Sequence, residues 1–196
     1  MTRKILVCPY QPVWVQQFES EAGVLWGIFG SEATAIHHIG STSIPGMSAK
    51  PTIDLLVEVR DISGVDRFNE KLSESGYTPK GENGIPGRRY FFKESQDLHV
   101  CHVHCFQSGD GQIERHLNFR DYLMAHPREA RSYSQLKEIL ADQFPEDIDS
   151  YCEGKDRFIQ EIGNYSGYRG NNPEFEVFAG AKHQQTPQIR GLPPDG

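Results

Sequence analysis

The stretch HHIGSTSIPGMSAKPTIDLLVEV, residues 37–59, gathers the side chains best suited to chemistry. Gly40 and Ser41 form a small-residue turn where backbone N–H groups can close on an anion, and the hydroxyls of Ser41, Thr42 and Ser43 add donors. Lys50 supplies a cation, and Asp54 follows in an apolar run. Phosphoryl and nucleotidyl transfer rest mostly on positioning and charge neutralisation around phosphate and metal, which is what this set offers. A carboxylate beside a phosphate cradle anchors Mg²⁺, which takes one or two carboxylates plus phosphate oxygens. The pattern G-x-x-x-x-G-K-[ST] is absent, so the turn is not a P-loop of that type. The same residues also fit a serine-rich connection between two strands with a solvated acid, and composition alone does not choose.

A second group lies in LHVCHVHCF. Strand alternation puts His102 and His104 on one face with Leu98 and Val100, and His99 on the other. The two Cα atoms are then about 6.6 Å apart, close enough to bind one ion. Imidazole favours Zn, Ni, Cu or Fe over Mg, and two histidines with one carboxylate resemble a facial metal triad. The plain alternative is a pair of half-buried, hydrogen-bonded histidines. Cys101 and Cys105 are about 13 Å apart on a strand, too far for a disulfide, so with Cys8 and Cys152 they read as reduced thiols. Arg88 and Arg89 follow the turn-rich ENGIPG and point opposite ways; one of them, taken as Arg88, aims into the pocket and can hold phosphate bidentately. One of His37 and His38 points towards the serine turn.

The elements that must hold these groups are legible in the apolar spacing. Trp14, Phe18, Ala22, Leu25 and Phe29 make the stripe of an amphipathic helix over 12–29 that ends at Gly30. ATAIHHI and TIDLLVEV read as strands on either side of the serine stretch. Val65, Phe68 and Leu72 mark a second helix closed by Gly76, and RRYFFK and LHVCHVHCF two more strands. The last third is helical in three segments: IERHLNFRDYLMAH, PREARSYSQLKEILADQF and EDIDSYCEGKDRFIQEIGNY. This is an α/β (α+β) domain over residues 1–165, with a tail at 166–196 that is rich in Gly, Pro, Asn and Gln and lacks an apolar period.

A net charge of −7 argues against a general nucleic-acid binder but leaves room for one local phosphate site. No apolar run is long enough to span a bilayer, and MTRKILVCPYQPVW lacks the apolar core of a signal peptide. The expectation is a cytoplasmic protein with a small-molecule partner, neither nucleic acid nor membrane. The oligomeric state is not encoded in any recognisable feature.

The glycine–serine turn followed by an Asp on an apolar strand resembles the nucleotidyltransferase superfamily, and GSTSIPGMSAKPTIDLLVEV is similar to the signature of the GrpB family. PYQPVWVQQFESE, ENGIPGRRYFF, HVHCF, HLNFRDYLMAHP and YSQLKEILADQFPEDIDSYCEGKDRFI agree in order, so the resemblance covers roughly residues 7–165. It implies a nucleotidyltransferase-like mixed sheet flanked by helices, with the site where the serine turn meets Asp54 and faces His102 and His104. It further implies a protein acting on or binding a phosphorylated or nucleotide-like small molecule. Gly40, Ser41, Thr42 and Ser43 would hold phosphate, Lys50 or Arg88 would neutralise charge, and Asp54 with His102 and His104 would hold a divalent ion (Mg, Zn, Ni or Fe). One departure bears on catalysis. Active members of the superfamily commonly carry an Asp-x-Asp pair, whereas Thr52 stands here at its first position. A non-catalytic binding module, or a metal-dependent lyase, cyclase or hydrolase on the same scaffold, is the alternative.

Overall fold

A computed structural model describes residues 4–95 and 98–165; the tail expected at 166–196 lies outside the described residues. The chain opens with α1 (Val13–Phe29), whose buried Trp14, Ala22, Leu25 and Phe29 form the expected stripe. Gly30, at φ 55°, ends the helix in a conformation that only glycine adopts easily. The strands are β1 (Ala33–Ile39), β2 (Ile53–Val59), β3 (Tyr77–Pro79), β4 (Arg89–Ser95) and β5 (Leu98–Gln107), in the sheet order β1-β2-β5-β4-β3. β2 and β5 run parallel, and the other neighbours are antiparallel. The helices α2 (Asn69–Glu74), α3 (Gly111–Ala125), α4 (Pro127–Gln143) and α5 (Ile148–Tyr165) complete a mixed α+β fold.

Two expectations needed adjustment. The segment read as one second helix is a 3-10 turn over Ile62–Phe68, capped by the Asp61 side chain on the Ser63 amide, followed by the six-residue α2. The three-residue β3 is too short to leave a periodic signal. The order of the other helices and strands is as the sequence implies.

The central strands separate the core from the site. Ile53, Leu55, Val57 and Val59 of β2, with Cys101, Val103 and Cys105 of β5, join α1 in one buried cluster. The intervening residues face the other way, where Leu56 and Phe106 pack with Ile39 and Ile113 of α3. Asp54, His102 and His104 share this second face. Beyond it, α3, α4 and α5 form a bundle: Ile44 and Met47, from the connection after the serine turn, pack with Leu123, Tyr133 and Ile162. The bundle therefore closes over the segment that follows the turn. All four cysteines are free, as expected.

Candidate functional site

The site begins at Gly40, where β1 ends in a backbone conformation of φ 70° and ψ −173° that residues with a side chain rarely adopt. A Cβ at Gly40 would stand 2.4 Å from Asp54 Oδ2, so the turn lies directly against the carboxylate. Ser41–Ser43 form one 3-10 turn. The Ser43 hydroxyl donates back to the Gly40 carbonyl at 2.6 Å, which closes the turn on itself. Thr42 is buried and its Oγ is 3.0 Å from His38 Nε2, so His38 is the histidine that meets the turn. The His38 ring stacks on Phe18, at 4.7 Å between centroids, and burial pulls its pKa down to about 4.

Asp54 is set by the parallel pairing of β2 with β5, in which it stands beside His102. Its Oδ1 is 3.1 Å from His102 Nδ1 and 4.0 Å from His104 Nε2. Burial works to raise the carboxyl pKa, but the His102 hydrogen bond, with smaller contributions from the surrounding positive groups, outweighs it and holds Asp54 below the ordinary carboxylate range. An ionised carboxylate only accepts, so His102 donates from Nδ1. Its other nitrogen is 2.9 Å from His99 Nδ1, and His99 Nε2 is 2.9 Å from Glu94 Oε1. A hydrogen-bonded chain thus runs from the exposed Glu94 through His99 and His102 to Asp54.

His99 is a correction to the alternation argument. The β4–β5 register shifts between Lys93, paired with Cys101, and Glu94, paired with His99. This leaves Val100 as an extra residue, and a bulge of this kind inverts the faces on its far side. Val100 and Cys101 both pack on the main core, and His99 comes round to the side of His102.

His104 is 3.4 Å from Arg88 through Nδ1, and burial pulls its pKa down to about 3. Arg88 is buried, and donates to the carbonyls of Glu82 (3.1 Å) and Asn83 (2.6 Å) in the preceding loop. Arg89 turns outward to Asp66 at 2.9 Å, so the two arginines do diverge. His116 of α3 packs 5.6 Å from His104 between ring centroids and is held neutral by burial and by the charge of Arg115. Thr52 donates to the His99 carbonyl at 2.9 Å, a structural bond in place of the absent acid.

Beside this floor is a cavity of about 200 Å³. Ser41, Thr42, Lys50, Thr52, Asp54 and His102 line its sheet side, and Tyr133 and Lys137 of α4 with Tyr151 and Lys155 of α5 line its helical side. Arg88 is not among the lining residues. Lys137 is 3 % exposed, and its Nζ has no hydrogen-bond partner among the described residues. It sits 4.5 Å from the Tyr133 ring centroid, and Lys155 sits 4.3 Å from that of Tyr151. Lys50 approaches the same Tyr151 ring at 5.5 Å. Neither helix lysine was singled out from the sequence, although the signal is there. YSQLK (133–137) and YCEGK (151–155) repeat a Tyr-x-x-x-Lys spacing, which puts ring and ammonium on one helix face.

The fold and this arrangement define a small α+β domain with an acid at the root of a serine turn and a cationic cavity beside it. The chain belongs to the GrpB family, whose model, described as GrpB protein, matches residues 4–164. It is 52% identical over 158 residues to UPF0157 protein YqkA of Bacillus subtilis, an alignment covering 81% of this chain but 46% of YqkA, so it spans about half that relative's length. It is 37% identical over 167 residues to Glutamate-rich protein GrpB of Alkalihalophilus pseudofirmus, covering 82% of this chain and 95% of that one. The crystal structure of conserved protein GrpB from Enterococcus faecalis is similar at a TM-score of 0.79 and 42% identity, over 82% of this chain and 96% of that one.

Two outcomes follow from this geometry. Gly40→Ala should cost about 1–3 kcal/mol in backbone strain alone, and more as the Cβ displaces Asp54; urea denaturation of the variant measures it. Stability should also fall with acid. His104 and His38 stay neutral in the folded protein down to about 3 and 4, whereas in the unfolded chain they protonate near 6.5. The unfolded state therefore binds more protons below pH 6.5, and stability declines from there towards pH 4. His104→Gln should flatten that decline in a melting-temperature profile.

Proposed function

We propose that the protein binds, and acts on, a phosphorylated or nucleotide-like small molecule in the cavity between the serine turn and the helix lysines. The observation that carries this reading is the contact of Gly40 with the Asp54 carboxylate beside a cavity lined by Lys50, Lys137 and Lys155. Lysines on the walls attract a polyanion, the turn offers hydroxyl and amide donors, and Asp54 stands where it can take a proton or a cation. In this reading Ser41 and Thr42 meet phosphate and Lys50 neutralises it. Arg88 acts at one remove, by holding His104.

A divalent ion belongs to the proposal in a restricted form. Among the described residues, no group of three or more His, Cys, Asp or Glu side chains is placed to hold a metal. His102 Nδ1 and Nε2 already face Asp54 and His99, and His104 Nδ1 faces the Arg88 guanidinium. A resident centre of Asp54, His102 and His104 does not fit that bonding. Mg²⁺ arriving with the ligand does, since it needs one carboxylate and completes its shell with phosphate oxygens and water.

A non-catalytic binding module is the second reading. The observation in its favour is Thr52, whose hydroxyl is engaged with the His99 carbonyl at 2.9 Å and supplies no second acid. Turnover by Asp54-dependent chemistry separates the two.

A thermal-shift screen of nucleotides and phosphorylated metabolites, with and without Mg²⁺, tests the proposal. A phosphate-bearing ligand should raise the melting temperature, and Ser41→Ala should weaken its binding by about 1 kcal/mol, the worth of one hydrogen bond. No shift from any phosphorylated compound would overturn the reading. Stoichiometric Zn, Ni or Fe in native protein, lost in His102→Ala, would establish the histidine centre instead.

A further inference from the structure

Lys137 is buried, and its amine rests on the Tyr133 ring. The amine has no hydrogen-bond partner among the described residues, and Lys137 is one of the residues lining the cavity. An ammonium in that position gives up its hydration with only the tyrosine face in return, a cost that is kept where something else is gained. Lys155 repeats the arrangement one helix later, against Tyr151, which it shares with Lys50. The serine turn and the paired lysines belong to different walls of a cavity of about 200 Å³. Such a volume has room for roughly six waters, more than a single phosphate group fills.

We propose that Lys137 and Lys155 form a second anion subsite, so that the ligand carries at least two linked phosphate groups, one on the serine turn and one on the helix lysines. This deepens the function proposed above and rests on it. The class is a phosphoanhydride, whether inorganic diphosphate or the diphosphate portion of a larger molecule. Recognition lies in the linked phosphates rather than in the organic part.

The subsite is coupled to a proton. Among the described residues, the titratable groups that line the cavity with Lys137 are Tyr133 on its own helix, Tyr151 and Lys155 on α5, Lys50 before β2, Asp54 on β2 and His102 on β5, and Glu138 acts on it from the same helix. Burial, and then the charge of Lys155, pull the amine down to about 7, with Glu138 opposing. Burial raises both tyrosines, which stay neutral. Above pH 7 the empty site therefore holds Lys137 largely as the free amine, and an incoming phosphate favours the ammonium, so binding takes up a proton. Below pH 6 the amine is already charged and the uptake disappears.

Calorimetric titration in metal-free buffer tests this, with orthophosphate, inorganic diphosphate and a nucleoside diphosphate as probes. Diphosphate should bind at least about tenfold more tightly than orthophosphate, and the nucleoside diphosphate comparably to diphosphate. Lys137→Met, which removes an unpartnered amine and should fold normally by circular dichroism, should weaken diphosphate by about tenfold. It should also abolish a pH dependence that in the wild type approaches tenfold per unit above pH 7, measured against the variant so that the probe's own titration cancels. Orthophosphate binding that depends on Ser41, with diphosphate no tighter, would overturn the second subsite and leave the cavity reading standing. Binding of no probe would sink both. Binding of the nucleoside diphosphate alone, or an unchanged Lys137→Met, would overturn the phosphoanhydride assignment.

Discussion

The site depends on one close approach. Gly40 lies so near Asp54 that a methyl group there would stand 2.4 Å from the carboxylate. That approach fixes the end of β1 against the start of β2, with Ser41 and Thr42 in the lining of the cavity. Asp54 remains 28% exposed at its side chain, so water and ligand still reach it, while His102 holds its inner oxygen. The carboxylate is held by His102 at one oxygen and lies against Gly40 at the other.

The parallel pairing of β2 and β5 supplies the second half of the arrangement. Register places Asp54 beside His102 and Leu56 beside His104, so one face carries chemistry while the neighbouring positions bury aliphatic side chains and cysteines. The bulge at Val100 then brings in His99 and, through it, Glu94. Facing this floor, α4 and α5 present lysines laid on tyrosine rings. Tyrosine faces soften the cost of burying an ammonium by about 0.5–2 kcal/mol, yet among the described residues no carboxylate forms an ion pair with Lys137. Family membership is shared with the Enterococcus faecalis protein at 42% identity, and that likeness fixes the fold while leaving the ligand to the residues themselves.

Much of this was readable in the residues. The helix stripe of Trp14, Leu25 and Phe29, the strands around the serine turn, and the shared face of His102 and His104 all follow from periodicity. Asp54, Ser41, Thr42 and Lys50 do meet in one place. What escaped was long-range or broke the period. His99 was assigned to the wrong face because a bulge shows only in the pairing of two strands. Arg88 was read as a ligand for phosphate, whereas its guanidinium is engaged by the Glu82 and Asn83 carbonyls, bonds that no spacing rule anticipates. The apolar period of α4 and α5 does not mark Lys137 and Lys155. Only the packing of α4 and α5 over the sheet makes them inward-facing, although the repeated Tyr-x-x-x-Lys was a usable sign.

The most direct measurement of the central claim is a crystal structure of the protein grown with saturating inorganic diphosphate and Mg²⁺. The account predicts density in the cavity, with phosphate oxygens within hydrogen-bond distance of the Ser41–Thr42 turn and of the Lys137 ammonium, beside an Asp54 carboxylate still hydrogen-bonded to His102. An empty cavity with diphosphate bound elsewhere on the surface, or a protein that binds no phosphate compound at all, would contradict it.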